Sequence, residues 1–299
     1  MKHAYMVMAH DNFNVLNKQL KLLDDERNDF FIHVDVKAGD FDKQAILAGV
    51  EKSKVTFIPR LDGKWGDYSL VQIEFELLKF AMNAGDYDYF HLLSGVDLPI
   101  KSKTAILDFY ENSDKIYICC SSSLDTYQGE RTKYFYPFIN WEKFRTSKLL
   151  KGLSRVLGKM QKLVGVNRHK KKGNYVLCYC GWQWFSIPKD FAIHVIEMEP
   201  RVYSTFHHTL APDESVIQTV AMNSEFKDKI YMLDEHEDSV MRFNGNQRTK
   251  KPYVFFMEDY DFVMNSPYLF ARKFDERMDS AVIDRVYDAV SKMNEEDLK

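Results

Sequence analysis

Apolar positions in the first hundred residues fall into two alternating arrangements. Residues 4–9, 30–34, 55–59 and 89–93 are short, nearly unbroken apolar runs, as expected of strands buried on both faces. Between them, residues 12–23 repeat Phe13, Leu16, Leu20 and Leu23, and residues 67–83 repeat Leu70, Val71, Phe75, Leu78 and Met82. That spacing predicts amphipathic helices. The alternation predicts an α/β fold, with a Rossmann-like, doubly wound and mostly parallel central sheet flanked by helices. Ligands of such sheets sit beyond the carboxyl ends of the strands, which places His10, Asp35, Trp65 and Asp97 along one rim.

Further on, residues 117–121, 179–187 and 229–233 read as strands, and residues 190–198, 215–222 and 280–293 as helices. No repeat or low-complexity linker interrupts the chain. The simplest organisation is one domain over residues 1–299, with a nucleotide-binding half at 1–120 and an acceptor and catalytic half at 175–299. Between the halves, residues 143–172 carry eleven Lys or Arg and no acid. Leu149, Leu150, Leu153, Val156, Leu157, Met160, Leu163 and Val164 recur there at helical spacing. This basic amphipathic insertion is either a surface helix with a solvated charged face or a device for an anionic membrane surface.

Composition narrows the classes. The 299 residues carry a formal charge of only -3, so the protein as a whole is no polyanion binder, and no nucleic-acid recognition module is present. Cys119, Cys120, Cys178 and Cys180 lack a CxxC or zinc spacing, and read as buried, reduced thiols of a reducing compartment. The N-terminal apolar run is too short for a signal peptide, and no stretch is long enough to cross a membrane. A cytoplasmic location, peripheral on the inner face of the cell membrane if the basic segment docks there, follows as the expectation.

P-loop, GxGxxG, HExxH and GxSxG motifs are all missing. Asp86-Tyr87-Asp88 has the form of a metal-binding Asp-x-Asp but precedes its strand, at the end of the sheet away from the rim, and reads as a solvated turn. Asp97 alone is a thin metal site. Arg272-Lys273, flanked by Phe270 and Phe274, can neutralise a diphosphate without a metal. Taken locally they read first as ordinary salt-bridge partners of Asp275 and Glu276. Arg248, Lys250 and Lys251 form a second basic cluster. Asp213 and Glu214 read as helix N-terminal charges, or Glu214 as a general base.

Seven strings then carry a resemblance: AYMVMAH, FFIHVDVK, WGDYSLVQIEFELLKFA, YDYFHLLSGVDLPIKS, GWQWFSIPKDFA, LAPDESVIQTVAMNS and LFARKFD. In this order over some 270 residues, they resemble the core-2/I-branching β-1,6-N-acetylglucosaminyltransferase and peptide O-xylosyltransferase family; residues 124–174 match poorly. The resemblance implies a GT-A-type fold and inverting, metal-independent transfer from a UDP-sugar, with no cofactor. It makes Glu214 the base and Lys273, with Arg272, the holder of the donor diphosphate, aided by a residue near Arg248 or Lys250. Asp35 would contact the nucleoside; His10, Trp65 and Asp97 would line the donor pocket. Trp182, Gln183, Trp184 and Asp213 would face the acceptor. Xylosyltransferase relatives carry Asp at the position of Gln183, which counts against xylose; the resemblance itself points to GlcNAc, with galactose, glucose, GalNAc and xylose as alternatives. Animal members carry a membrane anchor and several disulfides, so the chain resembles a bacterial member that builds surface polysaccharide on a lipid-linked oligosaccharide. A non-catalytic glycan- or lipid-binding module is the alternative from another class.

Overall fold

The computed structural model describes residues 1–120, 131–144, 146–231, 241–243 and 254–297. Arg248, Lys250 and Lys251 lie outside these. A six-stranded sheet runs in the order β3-β2-β1-β4-β7-β6. Its parallel part is β1 (His3–Ala9), β2 (Asn28–Val34), β3 (Val55–Phe57) and β4 (Tyr89–Ser94). The first, second and fourth of these strands are buried along their whole length apart from Met8, which is why their sequences are unbroken apolar runs rather than alternating ones. β7 (Phe185–Pro188) runs antiparallel to β4, and β6 (Tyr117–Ile118) antiparallel to β7.

Helices α1 (Phe13–Leu22) and α3 (Tyr68–Ala84) supply the crossovers around the parallel strands, with the short α2 (Lys43–Leu47) before β3 and α4 (Lys103–Tyr110) before β6. Asp67 caps α3 by accepting from Ser69 N at 2.7 Å. A second sheet, β5-β9-β8, joins β5 (Leu98–Pro99), β8 (Met241–Phe243) and β9 (Phe270–Arg272). Leu98, Ala271 and Phe274 share a separate apolar cluster with Val282, Ile283, Val286 and Val290 of the C-terminal helix Ser280–Glu296.

Two predicted strands are shorter than expected. Over residues 179–187 only Phe185–Pro188 is strand. The preceding backbone bonds to side chains instead of a ladder: Tyr179 N donates to Thr219 Oγ1 at 2.9 Å, and Trp182 O accepts from Gln218 Nε2 at 2.7 Å. Residues 229–233 give one bridge, Ile116 to Ile230, and residues beyond 231 there lie outside the described ones. All four cysteines are buried and form no disulfide; burial pushes the Cys178 thiol up to about 12, so it stays protonated.

Candidate active site

The carboxyl ends of the parallel strands carry the predicted rim. After β1 come His10, exposed, and Asn12, whose backbone is left-handed at φ 52°. After β2, the Asp35 carboxylate accepts from Lys37 N and Gly63 N, both at 2.8 Å. These bonds fix the loop that leads to Trp65, which is 59% exposed. After β4, residues 94–97 turn tightly, and Gln19 of α1 holds the turn by donating to the carbonyls of Ser94 and Asp97 at 3.1 and 3.0 Å.

Strand register brings the first functional pair together. Leu98 pairs with Ala271 in antiparallel β5 and β9, so Asp97 falls across from Arg272. Arg272 Nε lies 3.2 Å from Asp97 Oδ1. Its N–H is not aimed at that oxygen, so the contact is an ion pair rather than a directed hydrogen bond. Asp97 is fully buried and also accepts from Ser94 N at 2.7 Å and from the Ser94 hydroxyl. Burial pushes the Asp97 carboxyl up and the Arg272 guanidinium down, each against the attraction of the other. The guanidinium also stacks on the Trp184 indole, 4.2 Å from the ring centroid. Arg272 is therefore held on two sides. Its neighbour Lys273 is half-buried, and among the described residues no carboxylate lies within ion-pair distance of its ammonium. Asp275 pairs with Arg277 at 2.7 Å, not with Arg272 or Lys273.

The loop bearing Glu214 forms the second part. Pro212–Glu214 is a 3-10 turn ahead of the helix Val216–Met222. Ala211, at φ 50°, starts it in a left-handed conformation that a non-glycine residue rarely adopts. Ala211 N donates to Gly66 O at 2.8 Å, which pins the turn to the entrance of α3. The Glu214 side chain keeps 32% of its surface exposed, and Oε2 lies 2.5 Å from Arg131 Nη1.

Residues 181–184 join the two parts. Gly181 N donates to Glu214 O at 2.9 Å. Only glycine fits here, because a Cβ would lie 1.7 Å from the Cys119 carbonyl oxygen. Three residues later Trp184 lies under Arg272. Three extended residues reach at most about 11 Å, so the backbone points that carry the Glu214 contact and the Arg272 stack lie no further apart than that.

Behind Glu214 lie two carboxyls with little compensation. Asp213 is buried, and its Oδ1 has no hydrogen-bond partner. Burial first, then the charge of Glu214, push its carboxyl up to about 7. Glu74 of α3 is buried too. It accepts from Gln183 Nε2 at 2.7 Å through Oε1, while Oε2 has no partner. Burial and the nearby Asp213 charge push it well above the usual carboxylate range.

The structure thus unites Asp97, Arg272 and Trp184 in one cluster, and Glu214, Asp213 and Gln183 in a second, joined through 181–184. His10, Asp35 and Trp65 are positioned by neighbouring loops of the rim. Arg131 and Glu74 were not singled out from sequence. Glu74 left a legible trace: it interrupts the apolar row Val71, Leu78 and Ala81 on the buried side of α3. Arg131 left none, lying in the poorly matching region. Asp86-Tyr87-Asp88 is a turn at the far end of the sheet, where Asp86 pairs with Lys189 and Asp88 accepts from Lys2 N at 2.6 Å. Among the described residues, no group of three or more His, Cys, Asp or Glu side chains could hold a metal ion, and no helix is long and apolar enough to cross a membrane.

An α/β domain with a mostly parallel sheet, a half-exposed carboxylate on a turn beside it and a basic pair on a second small sheet is the class that this site defines. The chain belongs to the core-2/I-branching enzyme family, whose model matches residues 3–249. It is 23% identical over 312 residues to the human β-1,3-galactosyl-O-glycosyl-glycoprotein β-1,6-N-acetylglucosaminyltransferase, covering 92% of this chain and 66% of that protein. To xylosyltransferase 2 of Canis lupus familiaris it is 21% identical over 304 residues, covering 94% of this chain and 33% of that protein. The chain therefore spans about two thirds of the one relative and one third of the other. Among solved structures, the galactosyltransferase LgtC in complex with donor and acceptor sugar analogues aligns over 96% of this chain and 95% of its own, at 11% identity and a TM-score of 0.43.

Proposed function

We propose that the protein is an inverting glycosyltransferase that moves a sugar from a UDP-sugar to a hydroxyl of a glycan acceptor. The observation that carries this reading is that the short segment 181–184 links the Glu214 backbone at one end to the Arg272 guanidinium at the other. Glu214 is exposed enough to meet an acceptor yet held by its backbone and by Arg131. As the acceptor oxygen bonds to the anomeric carbon, its proton passes to the Glu214 carboxylate. The bond from that carbon to the diphosphate breaks on the opposite face, and its electron pair leaves with the UDP. Lys273 and Arg272 neutralise the charge that develops there. Asp97 acts through Arg272 and is a positioning residue.

The donor we favour is UDP-GlcNAc. Gln183 turns its amide nitrogen to Glu74, so its carbonyl oxygen is the end left to accept from a sugar hydroxyl or amide N–H. UDP-xylose, UDP-galactose and UDP-glucose are the alternatives. In this reading transfer needs no metal, and the acceptor is a lipid-linked oligosaccharide of bacterial surface polysaccharide, met at the inner face of the cell membrane. UDP release measured over a panel of UDP-sugars and acceptors, with and without EDTA, tests it. Turnover that survives EDTA is expected. Turnover lost with EDTA overturns the metal-free reading, and no turnover on any donor favours a binding module instead.

A further inference from the structure

The basic insertion forms α5, Lys148–Leu163, with Ser147 as its cap. No residue of this sixteen-residue helix is buried. At about 100° per residue, its side chains divide into three strips. Leu150, Ser154, Leu157 and Gln161 are half-exposed and form the strip turned to the body, where Gln161 bonds both to Phe135 N and to Phe135 O, at 2.8 and 2.9 Å. Leu149, Leu153, Val156, Met160 and Leu163 form an exposed apolar strip; Leu149, Met160 and Leu163 are 72%, 56% and 86% exposed. Lys148, Lys151, Arg155, Lys159 and Lys162 are exposed and fill the strip on the other side of the apolar one.

We infer that α5 is a docking surface for an anionic lipid bilayer, with its apolar strip entering the acyl boundary and its cationic strip lying in the phosphate layer. Two observations select this occupant. The cations run the length of the helix beside the aliphatic row, the geometry in which a helix lies in the plane of an interface. The charge is also segregated: the chain is -3 overall and residues 143–172 are +11, so the remainder is -14. An anionic bilayer is attracted by this face and repelled by the rest of the molecule. Phe135, which clamps α5, is four residues from Arg131, the ion-pair partner of Glu214. Docking through α5 therefore orients the molecule with the Arg131 segment, the partner of Glu214, near the bilayer and a lipid-borne acceptor. That orientation, unlike the docking itself, rests on Glu214 being the acceptor-side base.

Co-sedimentation of the full chain with phosphatidylcholine vesicles, with and without phosphatidylglycerol, tests the docking. Binding only to the phosphatidylglycerol vesicles, weakening as salt is raised, is expected. Arg155→Gln and Lys159→Gln should each lower partitioning about fivefold. Leu153→Ser with Met160→Ser should abolish sedimentation while circular dichroism and the melting temperature stay unchanged, since these side chains are exposed. No sedimentation with the anionic vesicles, equal binding to both vesicle types, or variants that bind like the parent would each overturn the inference. So would an α5-dependent dimer in solution that ignores vesicles.

Discussion

Two arginine–carboxylate pairs stand at the two ends of the span set by residues 181–184, and solvent treats them differently. Asp97–Arg272 is sealed on its carboxylate side: Asp97 has no exposed surface, while the guanidinium, stacked on Trp184, keeps 18% of its side-chain surface. Arg131–Glu214 is shorter, at 2.5 Å, yet its partners keep 23% and 32% of their side-chain surface. The closer pair is the weaker contributor to stability, because water screens it, whereas either partner of a buried pair is left uncompensated when the other is removed. In the proposed mechanism the sealed pair aims a cation, and the open pair holds the group that takes up the acceptor proton.

Removing one partner of the sealed pair should have the largest effect on stability. Asp97→Asn leaves a buried guanidinium unpaired and should cost about 3–5 kcal/mol in denaturant unfolding. A loss under about 1 kcal/mol would mean that the pair is not sealed.

The carboxyls behind the open pair should set a pH slope of a few kcal/mol. The folded state holds the Asp213 proton up to about pH 7, well above the ordinary value near 3.8. Its stabilisation is therefore complete below about pH 4 and is lost as pH rises through 7. Asp213→Asn should flatten stability over that window and leave the protein more stable above it. Melting curves across pH that keep the same slope in the variant would contradict this.

Lys273→Ala should weaken UDP binding by about 1.5–3 kcal/mol, read by titration calorimetry, with little change in stability. The smallest stability effect belongs to the open pair. Arg131→Met should cost about 1 kcal/mol or less, yet slow transfer by loosening Glu214. Large destabilisation with normal turnover would invert the comparison.

The parallel part of the sheet was legible because its strands are buried on both faces and their neighbours repeat at helical spacing. The second sheet was not, since β5 and β9 have two and three residues, too few for any period to register. Asp97 and Arg272 lie 175 positions apart, and only the register of those short strands makes them partners. Residues 179–184 misled for a related reason: an aromatic run has the composition of a strand, but its polar groups are taken by Thr219 and Gln218. Glu214 and Lys273 were reached through the family resemblance, not through local pattern. Arg131 fell outside both.

In the proposed mechanism Glu214 takes the acceptor proton. That step is tested most directly by comparing the parent and Glu214→Gln for transfer from whichever UDP-sugar the panel identifies, with UDP affinity measured alongside. A fall in turnover of about 100-fold or more with UDP affinity and melting temperature unchanged is predicted. Turnover equal to that of the parent would contradict the account.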